Sequence, residues 1–150
     1  MPPYRESGVF DVNGRWTEAA TAKAEALRAY ISSFAALKRT VLLYPTPEVG
    51  WTPQRLNLDA LALGKLPPRF ISTSRIRERQ RNSAAERLLD SIDSPNIRRV
   101  RPEDVFCNTL VKYRCIVQAD DALYYADDNH VSMQGARLIV QKLLPELGPE

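Results

Sequence analysis

The chain has 150 residues, 44% of them apolar and 26% charged, with a formal charge of +3. That length suits one domain with a real hydrophobic core, and the composition is that of an ordinary globular protein. Basic residues alternate with acidic ones, as in RIRERQRNSAAER; this reads as a solvated helix face and excludes a nucleic-acid-binding stripe. No stretch reaches the apolar length of a membrane span, and MPPYRESGVF lacks the apolar region of a signal peptide.

Residues 1–15 are polar and turn-rich (DVNG), and are expected to be irregular. From Thr17 to Lys38 the spacing predicts a helix capped by Thr17, with Leu27, Tyr30, Ile31, Phe34 and Leu37 as its inward stripe. TVLLYP, Thr40 to Pro45, is an apolar run without alternation, the pattern of a strand buried on both faces of a parallel sheet. Pro45 to Thr73, rich in proline and glycine, reads as a long connection, a setting that often carries function. Ser74 to Ile92 predicts a second helix with Ile76, Ala84, Leu88, Leu89 and Ile92 inward, and Asn96 to Val100 a second strand. RPEDVF is a single helical turn, the loop CNTLVKYRC follows, and ALYYA is an edge strand. Ser132 caps a last helix, Met133 to Leu144, which is expected to stop at Pro145 and Gly148. Helices alternating with short apolar strands indicate an α/β layered sheet, expected to be parallel but thin.

The single histidine, His130, stands in DDNH at the entrance to that last helix. A carboxylate three residues earlier, Asp127, can reach Nδ1 of the ring across a turn. Holding Nδ1–H leaves Nε2 as an acceptor, the tautomer that a general base requires. The same residues serve equally as turn and capping groups in front of Ser132. One histidine with scattered carboxylates makes a poor zinc site, so no metal is expected. Cys107 and Cys115 are too far apart for a CxxC pair; their spacing leaves open a disulfide or two reduced thiols.

Three stretches carry a resemblance: VLLYPTPEVGW (41–51), RVRPEDVFCNTLVKYRCIV (99–117) and LYYADDNHVSMQGARLIV (123–140). In this order they resemble the SGNH hydrolase fold, specifically the SGNH domains fused behind membrane acyltransferase-three domains. The resemblance implies a three-layer α/β/α, flavodoxin-like fold that transfers an O-acyl group or hydrolyses an ester without a cofactor. In that family a serine in a GDS block attacks the acyl carbonyl. The histidine of DxxH is its base and the aspartate orients the ring, roles that fall on His130 and Asp127. It also implies a Cys107–Cys115 disulfide, an acyl donor and a glycan acceptor, an upstream membrane acyltransferase domain, and a place on the periplasmic face of the inner membrane. By position after a strand end, Glu48 and Trp51 become candidate acceptor-site residues; Trp51 reads equally well as packing over the sheet edge.

The departures are as informative. No GDS occurs in this chain, nor a GxND-like block. Its serines (Ser7, Ser32, Ser33, Ser72, Ser74, Ser83, Ser91, Ser94 and Ser132) lack the strand-to-loop setting of a nucleophile. The expectation is a partial SGNH domain over 1–150, incomplete at its N-terminus, whose serine lies upstream of Met1. The alternatives are a stand-alone esterase of this fold and a non-catalytic remnant or binding module.

Overall fold

A computed structural model describes residues 17–148; the irregular start expected for 1–15 lies outside them. In chain order the elements are α1 (Glu18–Leu37), β1 (Thr40–Leu43), α2 (Pro53–Ala62), β2 (Phe70–Ser74), α3 (Arg75–Asp90), β3 (Ile97–Val100), α4 (Glu103–Phe106), β4 (Arg114–Ala119), β5 (Ala122–Leu123) and α5 (Met133–Leu147). The fold is α/β, as the alternation of patterns indicates. Among the described residues no helix is long and apolar enough to cross a membrane. They form two compact units: those up to Thr40 with Leu88–Ile97, and Val41–Arg87 with those from Arg98 on.

In the first unit Thr17 caps α1, its hydroxyl accepting from the Ala20 amide at 3.3 Å. The expected inward stripe is a correction. Leu27, Tyr30, Phe34 and Leu37 are exposed, while Ala20, Ala24, Ile31 and Ala35 turn inward. Small side chains allow the close approach that lets Asn96 Nδ2 reach the Ala35 carbonyl at 2.9 Å. A hydrophobicity count overlooks an alanine face.

The second unit holds the site. Tyr44 N donates to Val100 O here, and Thr40 N to Asn96 O in the first unit, so β1 and β3 pair in parallel. The three-stranded sheet β2-β4-β5 is antiparallel instead. Its strand β4 replaces part of the expected cysteine loop, with four successive buried residues, Cys115 to Gln118. Asp120, at φ 49°, makes the tight β4–β5 turn. The expected Pro45–Thr73 connection holds α2 and β2 up to Thr73, and Ser74, expected to start the second helix, ends the strand instead. Pro53 at the first position and Gly64 just past the end bracket α2. Asn57 of α2 donates to Gln118 Oε1 at 2.8 Å and Gln118 Nε2 donates to Pro68 O at 2.6 Å, fixing α2 and the approach to β2 against β4.

The core gathers Val49, Ile71, Phe106, Ile116, Val117, Tyr125, Ile139 and the disulfide Cys107–Cys115, with Trp51, Val105, Tyr124, Val131 and Leu138 packed against it. Helix α3 differs from the amphipathic reading: Ile76 is exposed, and Glu78 and Asn82 are buried. Helix α5 runs through Pro145 to Leu147, because a proline this near the end removes a single intrahelical bond; Gly148, at φ 65°, then caps it.

Candidate active site

The hairpin β4–β5 delivers the chain to a seven-residue excursion closed by the antiparallel bridge Tyr125–Val131. Tyr125 is buried and packs its ring, tilted by 53°, 5.5 Å from that of Phe106. Ser132 locks the far end: its hydroxyl donates to Leu123 O at 2.6 Å and accepts from Gly135 N at 3.2 Å. Its amide donates to Tyr124 O at 2.8 Å. Within the excursion Ala126 N donates to His130 O at 2.8 Å. The DDNH loop is therefore tied at its base.

Asp127 organises the tip. Its Oδ1 accepts from the amides of Asn129 at 2.9 Å and His130 at 2.7 Å. Its Oδ2 lies 2.7 Å from His130 Nδ1. The two amides, then the ring, hold the carboxyl at about 2, well below the usual carboxylate range. An ionised carboxylate only accepts, so the proton in that contact belongs to Nδ1. In the neutral ring Nε2 then carries the lone pair, on a side chain 76% exposed. No described serine hydroxyl bonds to the ring; its partner among the described residues is Asp127.

Further residues hold this loop, directly or through one another: Thr46, Val49 and Gly50 from the stretch 41–51, and Gln54, Arg81 and Asn82, which no motif marks. Val49 N and Gly50 N both donate to Asp128 O, at 2.8 and 3.2 Å. Thr46 Oγ1 donates to Asn129 O at 3.3 Å, and Gln54 Nε2 to Tyr125 O at 2.9 Å and Ala126 O at 2.6 Å. The segment that follows β1 is itself held from α3. Arg81 donates to Glu48 O at 3.2 Å, and Asn82 Nδ2 to both Thr46 O at 3.1 Å and Glu78 Oε1 at 2.8 Å. Most of these contacts end on backbone carbonyls far away in sequence, which no local spacing encodes; Glu78 and Asn82, four apart on α3, were the available signal.

Glu48 meets Arg81 through its backbone, and Trp51 packs against the core and lines two clefts. For a metal, Glu78 with Cys107 and Cys115, and Glu78 with Glu86 and Glu103, bring donor atoms within 4.8 Å. The disulfide already takes both sulfurs, and Arg75 and Arg79 face Glu103 at 3.5 and 3.6 Å. Neither set fits a metal ion as it stands.

The family model of the SGNH domain (fused to AT3 domains) matches residues 4–145. The chain belongs to this SGNH family. No curated protein and no solved structure matches it. The family description places SGNH domains such as this one beside acyltransferase domains, which fits an acyltransferase-type module. The match also runs across both compact units of the SGNH domain.

Proposed function

We propose that this SGNH domain takes part in O-acyl transfer to a glycan hydroxyl, with His130 as general base and Asp127 as the residue that orients it. The observation that carries the reading is the 2.7 Å contact between Nδ1 and Oδ2, on a carboxylate already fixed by two amides. In the first half-reaction a serine hydroxyl gives its proton to Nε2 while its oxygen attacks the acyl carbonyl. The imidazolium, stabilised by Asp127, then returns the proton to the leaving alcohol. In the second, a sugar hydroxyl loses its proton to Nε2 and attacks the acyl-serine, and the serine recovers its proton from the ring. We assign the acyl group as acetyl and the serine to a Gly-Asp-Ser strand outside this sequence, because the chain contains no such block. The family's link to acyltransferase domains favours a membrane protein whose SGNH domain faces the periplasm, and the Cys107–Cys115 disulfide suits that oxidising compartment.

The test adds a Gly-Asp-Ser strand ahead of the chain and measures turnover of an acetyl ester with and without a sugar acceptor. His130→Ala is expected to lower turnover by about 10²–10⁴-fold. Equal turnover in that variant overturns the assignment. Release of acetate that the acceptor never diverts makes the protein an esterase. Labelling of the unmodified chain by a fluorophosphonate probe shows that the nucleophile is internal.

A further inference from the structure

We infer that the cleft lined by Trp51, Arg77 and Arg114 is a subsite for a sugar carrying a fixed negative charge, a carboxylate or a phosphate. The inference rests on the acyl-transfer reading for its role, as the acceptor's seat, though not for its chemistry. The cleft measures about 450 Å³ and is lined by Trp51, Ser72, Thr73, Ser74, Arg77 and Arg114. That lies inside the range of small-ligand sites, about 300–1,000 Å³.

The lining has two guanidinium groups and no carboxylate. Arg114 is held by neutral partners, donating through Nε to Ser72 Oγ at 2.9 Å and through Nη2 to Ser72 O at 2.5 Å. It is therefore positioned without being neutralised. Arg77 is exposed and has no ion pair among the described residues. Paired guanidinium forks are the usual receivers of carboxylate and phosphate oxygens. Thr73, only 7% exposed, also lines the cleft, and its hydroxyl can both donate and accept a hydrogen bond. Trp51 adds a flat apolar face against which the C–H face of a pyranose can lie.

A second cleft that Trp51 also lines makes the contrast. It measures about 490 Å³ and is lined by Trp51, Thr52, Arg55, Leu56 and Asp59. Its one cation and one anion, Arg55 and Asp59, pair with each other at 4.0 Å. Uncompensated positive charge is confined to the Arg77–Arg114 cleft. Trp51 directly follows Gly50, whose amide holds the Asp128 carbonyl in the loop that carries His130. The segment that carries Trp51 and the loop that carries His130 are thus joined by backbone hydrogen bonds.

The chain has two tryptophans, so a Trp16→Phe background leaves Trp51 as the sole indole reporter. Its emission is titrated with glucuronic acid, glucose 6-phosphate, glucose and sodium sulfate at fixed ionic strength. Saturable binding of an anionic sugar, with glucose weaker by about tenfold or more, is expected, since charge-assisted hydrogen bonds are roughly twice as strong as neutral ones. The tighter of the two anionic sugars distinguishes carboxylate from phosphate. Arg77→Gln, at an exposed position, should weaken the anionic sugar by about tenfold and leave glucose unchanged, with an unaltered circular dichroism spectrum. Equal binding of glucose and the charged sugars, sulfate matching the sugars, or an indifferent Arg77→Gln variant overturns the inference. His130→Ala should leave binding untouched. If turnover by the serine-bearing protein depends on His130 yet no charged sugar binds, the subsite falls and acyl transfer stands; if charged sugars bind while turnover ignores His130, the reverse holds.

Discussion

One carboxylate oxygen of Asp127 takes the backbone amides of Asn129 and His130, which leaves the other for the imidazole. Asp127→Asn separates the two tasks. Its amide oxygen can still accept from both backbone amides, but its NH₂ now faces Nδ1 as a donor, which moves the ring proton to Nε2. Because the chain has one histidine, long-range ¹H–¹⁵N spectra report this ring alone. We expect an unprotonated Nε2 in the neutral wild type and a protonated one in Asp127→Asn; the same tautomer in both would show that the carboxylate does not set it. The stability consequence has a definite sign. The carboxyl falls from an ordinary 3.8 to about 2 on folding, so its contribution is full above about pH 4 and is lost as pH drops through 2. Acid unfolding of the wild type and the variant should converge below that window. Glu78 behaves oppositely. It is 1% exposed, with Oε2 unpartnered, and burial raises its carboxyl above the ordinary 4.5. A raised carboxyl favours folding below 4.5 and loses that contribution as pH climbs through the folded value. Glu78→Gln keeps the acceptor for Asn82 and removes the buried charge, so in urea it should exceed the wild type in stability at pH 8 and lose that advantage below 4.5. A pH-independent difference would contradict this.

At the scale of elements, two competing terms meet at Gly135 in the first turn of α5. Alanine is a better helix former than glycine by about 1 kcal/mol. Yet a Cβ there would collide with the backbone oxygen of Tyr124 and press on the Val131 side chain at 3.0 Å. That carbonyl cannot withdraw, since it accepts from Ser132 N while Tyr124 N donates to Val117 O. Overpacking costs about 1–3 kcal/mol, so with the propensity gain subtracted Gly135→Ala should destabilise by up to about 2 kcal/mol net in urea unfolding; a gain in stability would show that α5 has room to move. The disulfide closes a loop eight residues apart in sequence, for which chain entropy gives about 2.5 kcal/mol. A Cys107→Ala/Cys115→Ala double variant should lose about that much. The two cases also show what is legible. The α5 cap at Ser132 and the Thr17 cap of α1 stand in the sequence as a hydroxyl before a periodic run. Strand β4 is hidden behind Cys115, because a pair of cysteines suggests a loop and masks the apolar residues Ile116 and Val117. Helix α2 is hidden among prolines, although Pro53 opens it instead of breaking it.

Over the whole molecule, the order of three short stretches suffices to place the chain in its family, and the DxxH spacing suffices to bring Asp127 and His130 together. Long-range anchoring is not legible: Gln54, Arg81 and Asn82 act on carbonyls 33 to 72 residues away in sequence. Burial is misread where alanines or polar groups do the packing, and this leads to a prediction about how stability is distributed. Of the twenty residues of α1, Ala35 alone is fully buried, while Leu37 is 83% and Tyr30 67% exposed. In β4 four of six residues are buried, and both its neighbours hydrogen-bond to it. Few buried apolar contacts and solvent-facing backbone bonds mean a low opening free energy, whereas a central strand in the core opens only with the core itself. Hydrogen exchange followed by mass spectrometry should therefore find α1 amides labelled faster than those of Cys115–Gln118 by about tenfold or more. Disulfide reduction, which loosens the core around Cys115, should narrow the gap from the β4 side and leave α1 unchanged. Equal protection of α1 and β4 in the oxidised protein would mean that the helix is held by something its burial does not reveal.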